Sequence, residues 1–446
     1  MYDPLQSLHP GHGAPHAPSY WVASAGNPTP DDGPLKGTAE EDVAIIGSGY
    51  TGLCAAYFLA HQHGIKAIVL EANQVAWGCS SRNGGFARVS GGHLWPSELI
   101  SHYGLDVARR YFDDTREALA QLRRLITEGS IDCDPQLDGV IKLAHHPSRL
   151  AGLESEANLF NRHFNFPVEI LSAKELHDYH RGGEVHGGIR LPEGFGLHPM
   201  KLAMGLLRMA RNAGARVHSS SPVISLERKA GHYLLETPEG AMRARKVIIA
   251  TNGYTAPGLH PFLRGRYMPV HSRILVTRPL TEHEIGLTLP SMDSMIDTRN
   301  LLYYYRRLPD NRLLFGGPGA VSGNDAEHPR HRDALLEGLT RKFPELAGIA
   351  VEYDWGGWVC MSQDGVPHIH ELEQSPGVFA ALGYSGSGIS YATLAGRRLA
   401  AMAVSTPETP PTQVTSSPLP RFPFARFLRL GQYFAYHLYR YQDRRP

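Results

Sequence analysis

Gly47-Ser48-Gly49-Tyr50-Thr51-Gly52 follows the short, mostly apolar run Asp42-Val43-Ala44-Ile45-Ile46 and precedes Leu53, Ala56, Tyr57 and Ala60 at helical spacing. Residues of these types in this order can hold a pyrophosphate. Gly47 permits a tight turn, Gly49 lets backbone approach the phosphates, and Gly52 lets the helix pack closely on the strand. N–H groups at the helix start then face the anion, with the positive end of the helix dipole behind them. A second apolar run, Ala67-Ile68-Val69-Leu70, ends on Glu71, nineteen residues beyond Gly52, where a carboxylate can accept the hydroxyls of an adenosine ribose. A glycine turn alone is a weak signal, but strand, turn, helix, strand and terminal acid in succession point to a dinucleotide.

Three further stretches carry chemistry. Trp77-Gly78-Cys79-Ser80-Ser81-Arg82-Asn83-Gly84-Gly85-Phe86 is a second glycine-rich loop containing a fixed cation and an amide. A nicotinamide-binding domain has no obvious use for it, whereas an isoalloxazine ring needs close backbone cover, and Arg82 can reach a phosphate or a ring carbonyl. Near the other end, Gly377-Val378-Phe379-Ala380-Ala381-Leu382 reads as a buried strand running into Gly383-Tyr384-Ser385-Gly386-Ser387-Gly388-Ile389 and then a helix with Ala392, Leu394, Ala395 and Leu399. Such a helix start suits the negative charge on N1 and the C2 carbonyl of a reduced flavin. Between them, Leu301-Leu302-Tyr303-Tyr304-Tyr305-Arg306-Arg307 and Arg312-Leu313-Leu314-Phe315-Gly316-Gly317 read as a hairpin across Pro309-Asp310-Asn311. One face of it would carry Tyr304 and Arg306, an aromatic wall and a carboxylate clamp, or would simply be a solvated face.

The elements that must position these residues fill most of a 446-residue chain, long enough for two or three domains. Hydrophobic residues at 42% and charged residues at 20% describe a globular protein, and a net charge of +1 argues against a nucleic-acid partner. No apolar run is long enough to span a bilayer. The scattered Cys54, Cys79, Cys133 and Cys360, with no signal-peptide pattern, suggest a reducing compartment, most simply the cytoplasm. The closest histidine pairs, His9/His12, His61/His63 and His368/His370, lack a carboxylate or cysteine at ligand spacing, so no metal site is expected.

Residues 1–37, rich in Pro, Gly and His, read as an extended arm that docks through Ser19-Tyr20-Trp21. Leu99, Tyr103, Ala108, Phe112, Leu119, Leu122 and Leu125 suggest helices ending at Gly129. His198-Pro199-Met200 opens a helix to Gly214, and strands follow at 215–218 and from Val223 to Leu226. A hairpin at Pro238-Glu239-Gly240 leads into the buried strand Lys246-Val247-Ile248-Ile249-Ala250-Thr251-Asn252-Gly253, which breaks at small residues beside the cofactor. Ser272 to Val276 reads as a strand and Ala334 to Phe343 as a helix. Arg421 to Arg445 mixes Phe, Tyr, Leu and Arg at helical spacing, which suits an amphipathic helix on a membrane surface or, the favoured reading, one packed on its own domain or a second subunit.

Taken together, the chain resembles the D-amino-acid-oxidase-type flavoprotein superfamily, and within it the gamma-glutamylputrescine oxidoreductase branch. The residues behind the resemblance are Ser19-Tyr20-Trp21, the run from Asp42 to Leu53, Leu70-Glu71-Ala72, the run from Trp77 to Gly85, Asn252-Gly253-Tyr254, the run from Arg312 to Gly317, and the run from Gly383 to Gly388. The resemblance implies an α/β fold: a Rossmann-like FAD-binding domain of the glutathione-reductase type plus a discontinuous α+β substrate domain whose antiparallel sheet roofs the flavin. The boundaries expected are 1–37 for the arm, 38–100, 190–258 and 353–410 for the FAD-binding domain, 101–189 and 259–352 for the substrate domain, and 411–446 for the tail.

The resemblance also implies FAD, held non-covalently or covalently, against the glycine turns, Glu71, Ala72, the Gly78 to Gly85 loop, Val223 and Thr251 to Gly253. The implied reaction is oxidation of a C–N bond in a primary or secondary amine or amino acid, by hydride transfer to flavin N5 and hydrolysis of the imine. His271, Tyr304, Arg306 and Trp358 are the residues expected on the substrate face. Two features depart from relatives: no lysine lies between Lys246 and Lys342, where sarcosine-oxidase relatives place one over the flavin, and Cys360 is poorly spaced from Asp364 for a thioether to FAD. Oxygen and an electron carrier therefore both stay open as acceptor, and a homo-oligomer is possible. The competing readings are a nicotinamide-dependent dehydrogenase and a flavin-binding partner protein without catalysis.

Overall fold

In the computed structural model, which describes residues 1–406 and 412–444, the apolar runs become the neighbouring strands Ala67–Leu70, Gly37–Ile46, Gly240–Ile249 and Val378–Leu382 of one sheet. Runs without polar alternation belong where both faces are covered, as in a parallel sheet flanked by helices. These four pair in parallel, and Arg216–His218 extends the parallel edge beyond Ala67–Leu70. His368–Glu371 closes the other edge antiparallel, while Ser225–Lys229 and His232–Glu236 form a meander on Gly240–Ile249.

Two helices lie against this sheet, and each begins where a glycine turn leaves a strand end: Tyr50–His63 and Gly388–Ala403. Tyr50–His63 is buried over its first three turns and stops at Gly64, whose left-handed φ of 67° lets its N–H cap the carbonyl of Ala60.

The second sheet is mostly antiparallel, in the order Val351–Met361, Met268–Pro279, Arg312–Pro318, Tyr304–Arg307, Ser294–Asp297, Val140–Leu143, Gly188–Leu191, Glu169–Leu171. Only Ser294–Asp297 with Val140–Leu143 is parallel. The hairpin across residues 309–311 forms as its sequence suggests, with Tyr304 opposite Gly316. Pro96–Tyr103 and Leu105–Glu128 supply the helices expected before Gly129. The longer one turns Ala108, Tyr111, Phe112, Thr115, Leu119, Leu122 and Leu125 inward at three- and four-residue spacing.

Several elements differ from expectation. The boundary expected at 353 falls inside Val351–Met361, which hydrogen-bonds along Met268–Pro279 and so stands with the second sheet. The boundary at 190 likewise falls inside Gly188–Leu191, a strand of that sheet. Leu301 to Tyr303 stay outside the strand beginning at Tyr304, because Asp443 of the C-terminal helix takes the N–H groups of Asn300 and Leu301 at 2.8 and 3.0 Å. Val223 precedes its strand, which starts at Ser225. In the arm, Tyr20–Ser24 is a short helix, and Trp21, 1% exposed, donates its indole N–H to the Asn83 carbonyl at 2.8 Å. The boundary expected at 410/411 lies outside the described residues. Among those described, no helix is long and apolar enough to cross a membrane.

Candidate cofactor and substrate site

A cavity of about 860 Å³ runs from the carboxyl ends of the first sheet's strands to the face of the second sheet. That is within the range of roughly 300–1,000 Å³ common for small-molecule and cofactor sites. At one end it touches Gly47, Gly49, Glu71, Ala72 and Val223. Gly47 takes a left-handed φ of 101°, and a Cβ on Gly52 would stand 1.9 Å from the Gly47 carbonyl oxygen, so strand and helix meet there with no room for a side chain.

The cavity end at Glu71 fits the ribose and pyrophosphate of FAD. Glu71 Oε2 accepts from Ser48 N at 2.9 Å and Ser48 Oγ at 2.7 Å, and Oε1 accepts from Asn73 N at 3.2 Å. Each oxygen keeps lone pairs for ribose hydroxyls. Burial pushes the carboxyl pKa up, against the pull of the hydrogen bonds from Ser48, Asn73 and Ala72. Ser48 itself is off the cavity wall and acts by holding Glu71. At Gly49, a Cβ would meet only Ser80 Oγ, at 3.0 Å, which leaves the backbone open toward the cavity beside the start of helix Tyr50–His63.

The middle of the cavity is walled by Gly78, Cys79, Arg82, Asn83 and Gly84, with Thr251 and Asn252 opposite. Arg82 donates Nε to Trp77 O at 2.9 Å and Nη1 to Gly356 O at 3.1 Å, leaving Nη2 without a hydrogen-bond partner among the described residues. The Asn83 amide is spent on protein partners, donating to Cys79 O at 3.0 Å and to the Tyr50 hydroxyl at 3.4 Å and accepting from Gly85 N at 2.9 Å. Ser81, Gly85, Gly253 and Gly383 stand behind the wall; Gly383 N donates to Asn252 Oδ1 at 3.1 Å and ties two wall segments together. Tyr384 to Ile389, around the start of helix Gly388–Ala403, complete this part.

The substrate-face residues divide. Tyr304 lines the cavity, its hydroxyl 2.8 Å from Ser272 Oγ and its ring edge-on to Phe86; burial raises its pKa. His271 also lines it. Its Nδ1 accepts from Ala320 N at 3.2 Å, which assigns the proton of the neutral ring to Nε2, a buried donor with no partner among the described residues. Burial pushes its pKa down to about 3, so the ring stays neutral.

Arg306 and Trp358 are not on the cavity wall, and this corrects the expectation for both. Arg306, 1% exposed, donates to the carbonyls of Gly84 and Leu197 at 3.1 and 2.6 Å and to Gln136 Oε1 at 2.5 Å. Each of its three nitrogens is tied to the protein, and the group lies behind the wall rather than on it. Trp358 donates its indole N–H to Tyr2 O at 2.8 Å and packs under the Arg429 guanidinium.

Three residues that the sequence reading missed stand on the wall instead. Arg88 donates Nη2 to Ser387 Oγ at 2.8 Å, and burial lowers its pKa to about 10, so it keeps its charge. Lys142 places its Nζ 3.8 Å from the centre of the Trp95 ring and has no ion-pair partner among the described residues. Burial, then the neighbouring Arg88 charge, push its pKa down to about 7, while Asp297, Glu156 and Glu98 pull it up. Trp95 is the third. Two of the three left a faint signal: Arg88 alternates with Phe86 just after the glycine loop, and Lys142 interrupts the apolar run Val140–Leu143. Cys360 touches the cavity, and burial pushes its thiol up to about 12.

Residues 42–402 match the family model described as FAD dependent oxidoreductase. The gamma-glutamylputrescine oxidoreductase of Escherichia coli (strain K12) is 32% identical over 387 residues, covering 86% of this chain and 88% of that protein. The glycine oxidase of Geobacillus kaustophilus (strain HTA426) is 26% identical over 376 residues, covering 80% and 92%. The crystal structure of glycine oxidase from Geobacillus kaustophilus superposes with a TM-score of 0.71 at 22% identity, over 86% of this chain and 99% of that one, a likeness of fold.

Proposed function

The chain belongs to the FAD-dependent oxidoreductase family, and from that premise we propose that it oxidises the C–N bond of a primary or secondary amine that also carries a carboxylate. Bound FAD supplies the acceptor for a hydride leaving the carbon next to the nitrogen. The chain's own residues bind, orient and desolvate. The Gly49 backbone and the start of helix Tyr50–His63 hold the pyrophosphate, and Glu71 the ribose. The start of helix Gly388–Ala403, with Arg88 tethered at Ser387, offers positive potential where a reduced flavin gathers negative charge.

Support for the substrate reading comes from the other end. Phe86, Trp95 and Tyr304 give apolar walls that keep water from the reacting carbon, and Lys142 beside Trp95, without an ion-pair partner among the described residues, is placed to meet a carboxylate. Gamma-glutamylputrescine and glycine, the compounds in the relatives' names, each carry both an amine and a carboxylate. His271 presents a neutral N–H donor and takes no proton. Hydride leaves from the deprotonated amine, and the imine is hydrolysed to an aldehyde or keto acid.

The observation that carries this reading is the continuity of one cavity from Glu71 to Lys142. An anaerobic screen of amines tests it: amines bearing a carboxylate should bleach the flavin band, and plain alkylamines should do so far more weakly. Bleaching by no amine, or equally by those without a carboxylate, removes it. Readmitting air to the reduced enzyme and assaying peroxide then assigns the acceptor.

A further inference from the structure

The C-terminal helix Leu428–Asp443 leaves most of its large apolar side chains exposed, unlike a helix that belongs only to its own domain. Such helices turn an apolar stripe inward and polar residues out. Here the inward face is mixed, with Tyr436 buried and Ala435 half-buried among polar groups. Gln432 is buried, Arg429 donates to Pro269 O at 2.8 Å and pairs with Asp3 at 2.6 Å, and Asp443 holds the loop at Asn300 and Leu301. Outward stand Leu430 at 53%, Phe434 at 62% and Leu438 at 53% exposure, continued by Phe427 and Phe424 at 61% and 84% just before the helix. Every exposed Phe or Tyr among the described residues lies between 424 and 441.

Charge decides what could cover this face. Arg421, Arg426, Arg440 and Arg444 are exposed, and none has an ion pair among the described residues. The one acidic residue between 421 and 444, Asp443, is engaged inward. A second copy meeting this face across a two-fold axis would set arginine against arginine with no carboxylate to answer. A surface of lipid phosphates answers each arginine and accepts aromatic rings at headgroup depth.

We propose that residues 421–444 dock the protein on an anionic lipid surface, with Phe424, Phe427, Leu430, Phe434 and Leu438 inserted shallowly and the four arginines at the phosphates. The opposite side of the helix contributes Gln432, Ala435, Tyr436 and Tyr439 to the cavity wall, so docking would set the cavity's outer wall at the lipid surface.

Vesicle flotation of the FAD-loaded full chain tests this. The protein should float with vesicles of phosphatidylcholine plus phosphatidylglycerol and bind phosphatidylcholine alone at least about tenfold more weakly, with the difference shrinking as salt rises. Leu430→Glu/Phe434→Glu and Arg440→Glu/Arg444→Glu should each cut binding to anionic vesicles about tenfold or more, at unchanged melting temperature and flavin content. Should the acidic variants not fold, Phe434→Trp keeps the face apolar, and its emission should shift to the blue only with anionic vesicles. Absence of flotation, equal binding to both vesicle types, or no shift for Phe434→Trp overturns the proposal. So does a dimer that Phe434→Glu dissociates without any vesicle binding, which would assign the face to a second copy.

Discussion

The hydroxyl of Tyr384 lies 2.7 Å from Oγ1 of Thr51, both residues buried, although 333 positions separate them in the chain. Thr51 stands in the first turn of the helix after the early glycine loop, and Tyr384 in the loop that launches helix Gly388–Ala403. The bond joins the proposed pyrophosphate end of the cavity to the proposed flavin end, in addition to the direct packing of the two helices where Gly396 closes on the Thr51 carbonyl and Cys54.

Tyr384→Phe removes this bond while keeping the ring. A buried neutral hydrogen bond contributes about 1 kcal/mol, so the variant should hold FAD roughly fivefold more weakly and melt at a lower temperature. The ratio of flavin to protein absorbance after dialysis measures it. A wild-type ratio together with a wild-type melting curve would show that the contact does not organise the site.

Gly49→Val places a branched side chain at the open backbone between Ser80 and the cavity. The fold should survive, since the Cβ meets only a serine hydroxyl, but the proposed phosphate approach is blocked. Purified protein should be folded by circular dichroism and colourless. A fully yellow variant would move the pyrophosphate elsewhere.

Local signals in the chain were enough to read the parallel strands of the first sheet, both glycine turns and the hairpin at residues 309–311, because each is decided within a few residues by periodicity and turn chemistry. The substrate wall is different. Lys142 comes from a strand whose neighbours, Ser294–Asp297 and Gly188–Leu191, lie far away in sequence, and nothing local says that its ammonium meets the Trp95 ring. Tyr304 and Arg306 share a strand face as period two requires, yet Arg306 is drawn to the Gly84 and Leu197 carbonyls that only tertiary packing brings within reach. Side-chain periodicity told the face of the strand; which face partners would be waiting there it could not tell. The tail was readable as a helix, but the way it docks depends on Asp3 and Asn300, both distant in sequence.

Neither cysteine on the cavity wall favours a thioether to FAD. Burial pushes the thiols of Cys79 and Cys360 up to about 11 and about 12, and the thiolate is the nucleophilic form. Acid precipitation should release all the flavin into the supernatant, and the intact-protein mass should equal that of the polypeptide. A mass increase equal to bound FAD contradicts this.

Lys142 should impose a pH limit on substrate binding. With its pKa lowered to about 7, the side chain is cationic below that pH and neutral above it, so its attraction for a carboxylate is present in acid and fades as pH rises through 7. Deprotonation of the substrate amine works in the opposite direction. The amine's ionisation is common to wild type and variant, so the ratio of their KM values isolates the lysine. Lys142→Met should raise KM about tenfold at pH 6, change kcat little, and differ less and less from wild type in KM as pH rises above 7. An unchanged KM at pH 6 would place the carboxylate against another residue.

Arg306→Ala separates a packing role from a binding role. The guanidinium is buried, its pKa pressed down to about 9 by that burial, and its donors reach the carbonyls of Gly84 and Leu197 and the side chain of Gln136. Truncation leaves these acceptors unsatisfied and opens a void between the glycine loop and the strand before helix Pro199–Asn212, a cost of about 3 kcal/mol or more. The variant should melt several degrees lower, lose flavin more readily, and show a KM within about twofold of wild type in the fraction that keeps FAD. A large rise in KM at an unchanged melting temperature would return Arg306 to the substrate and shift the clamp away from Lys142.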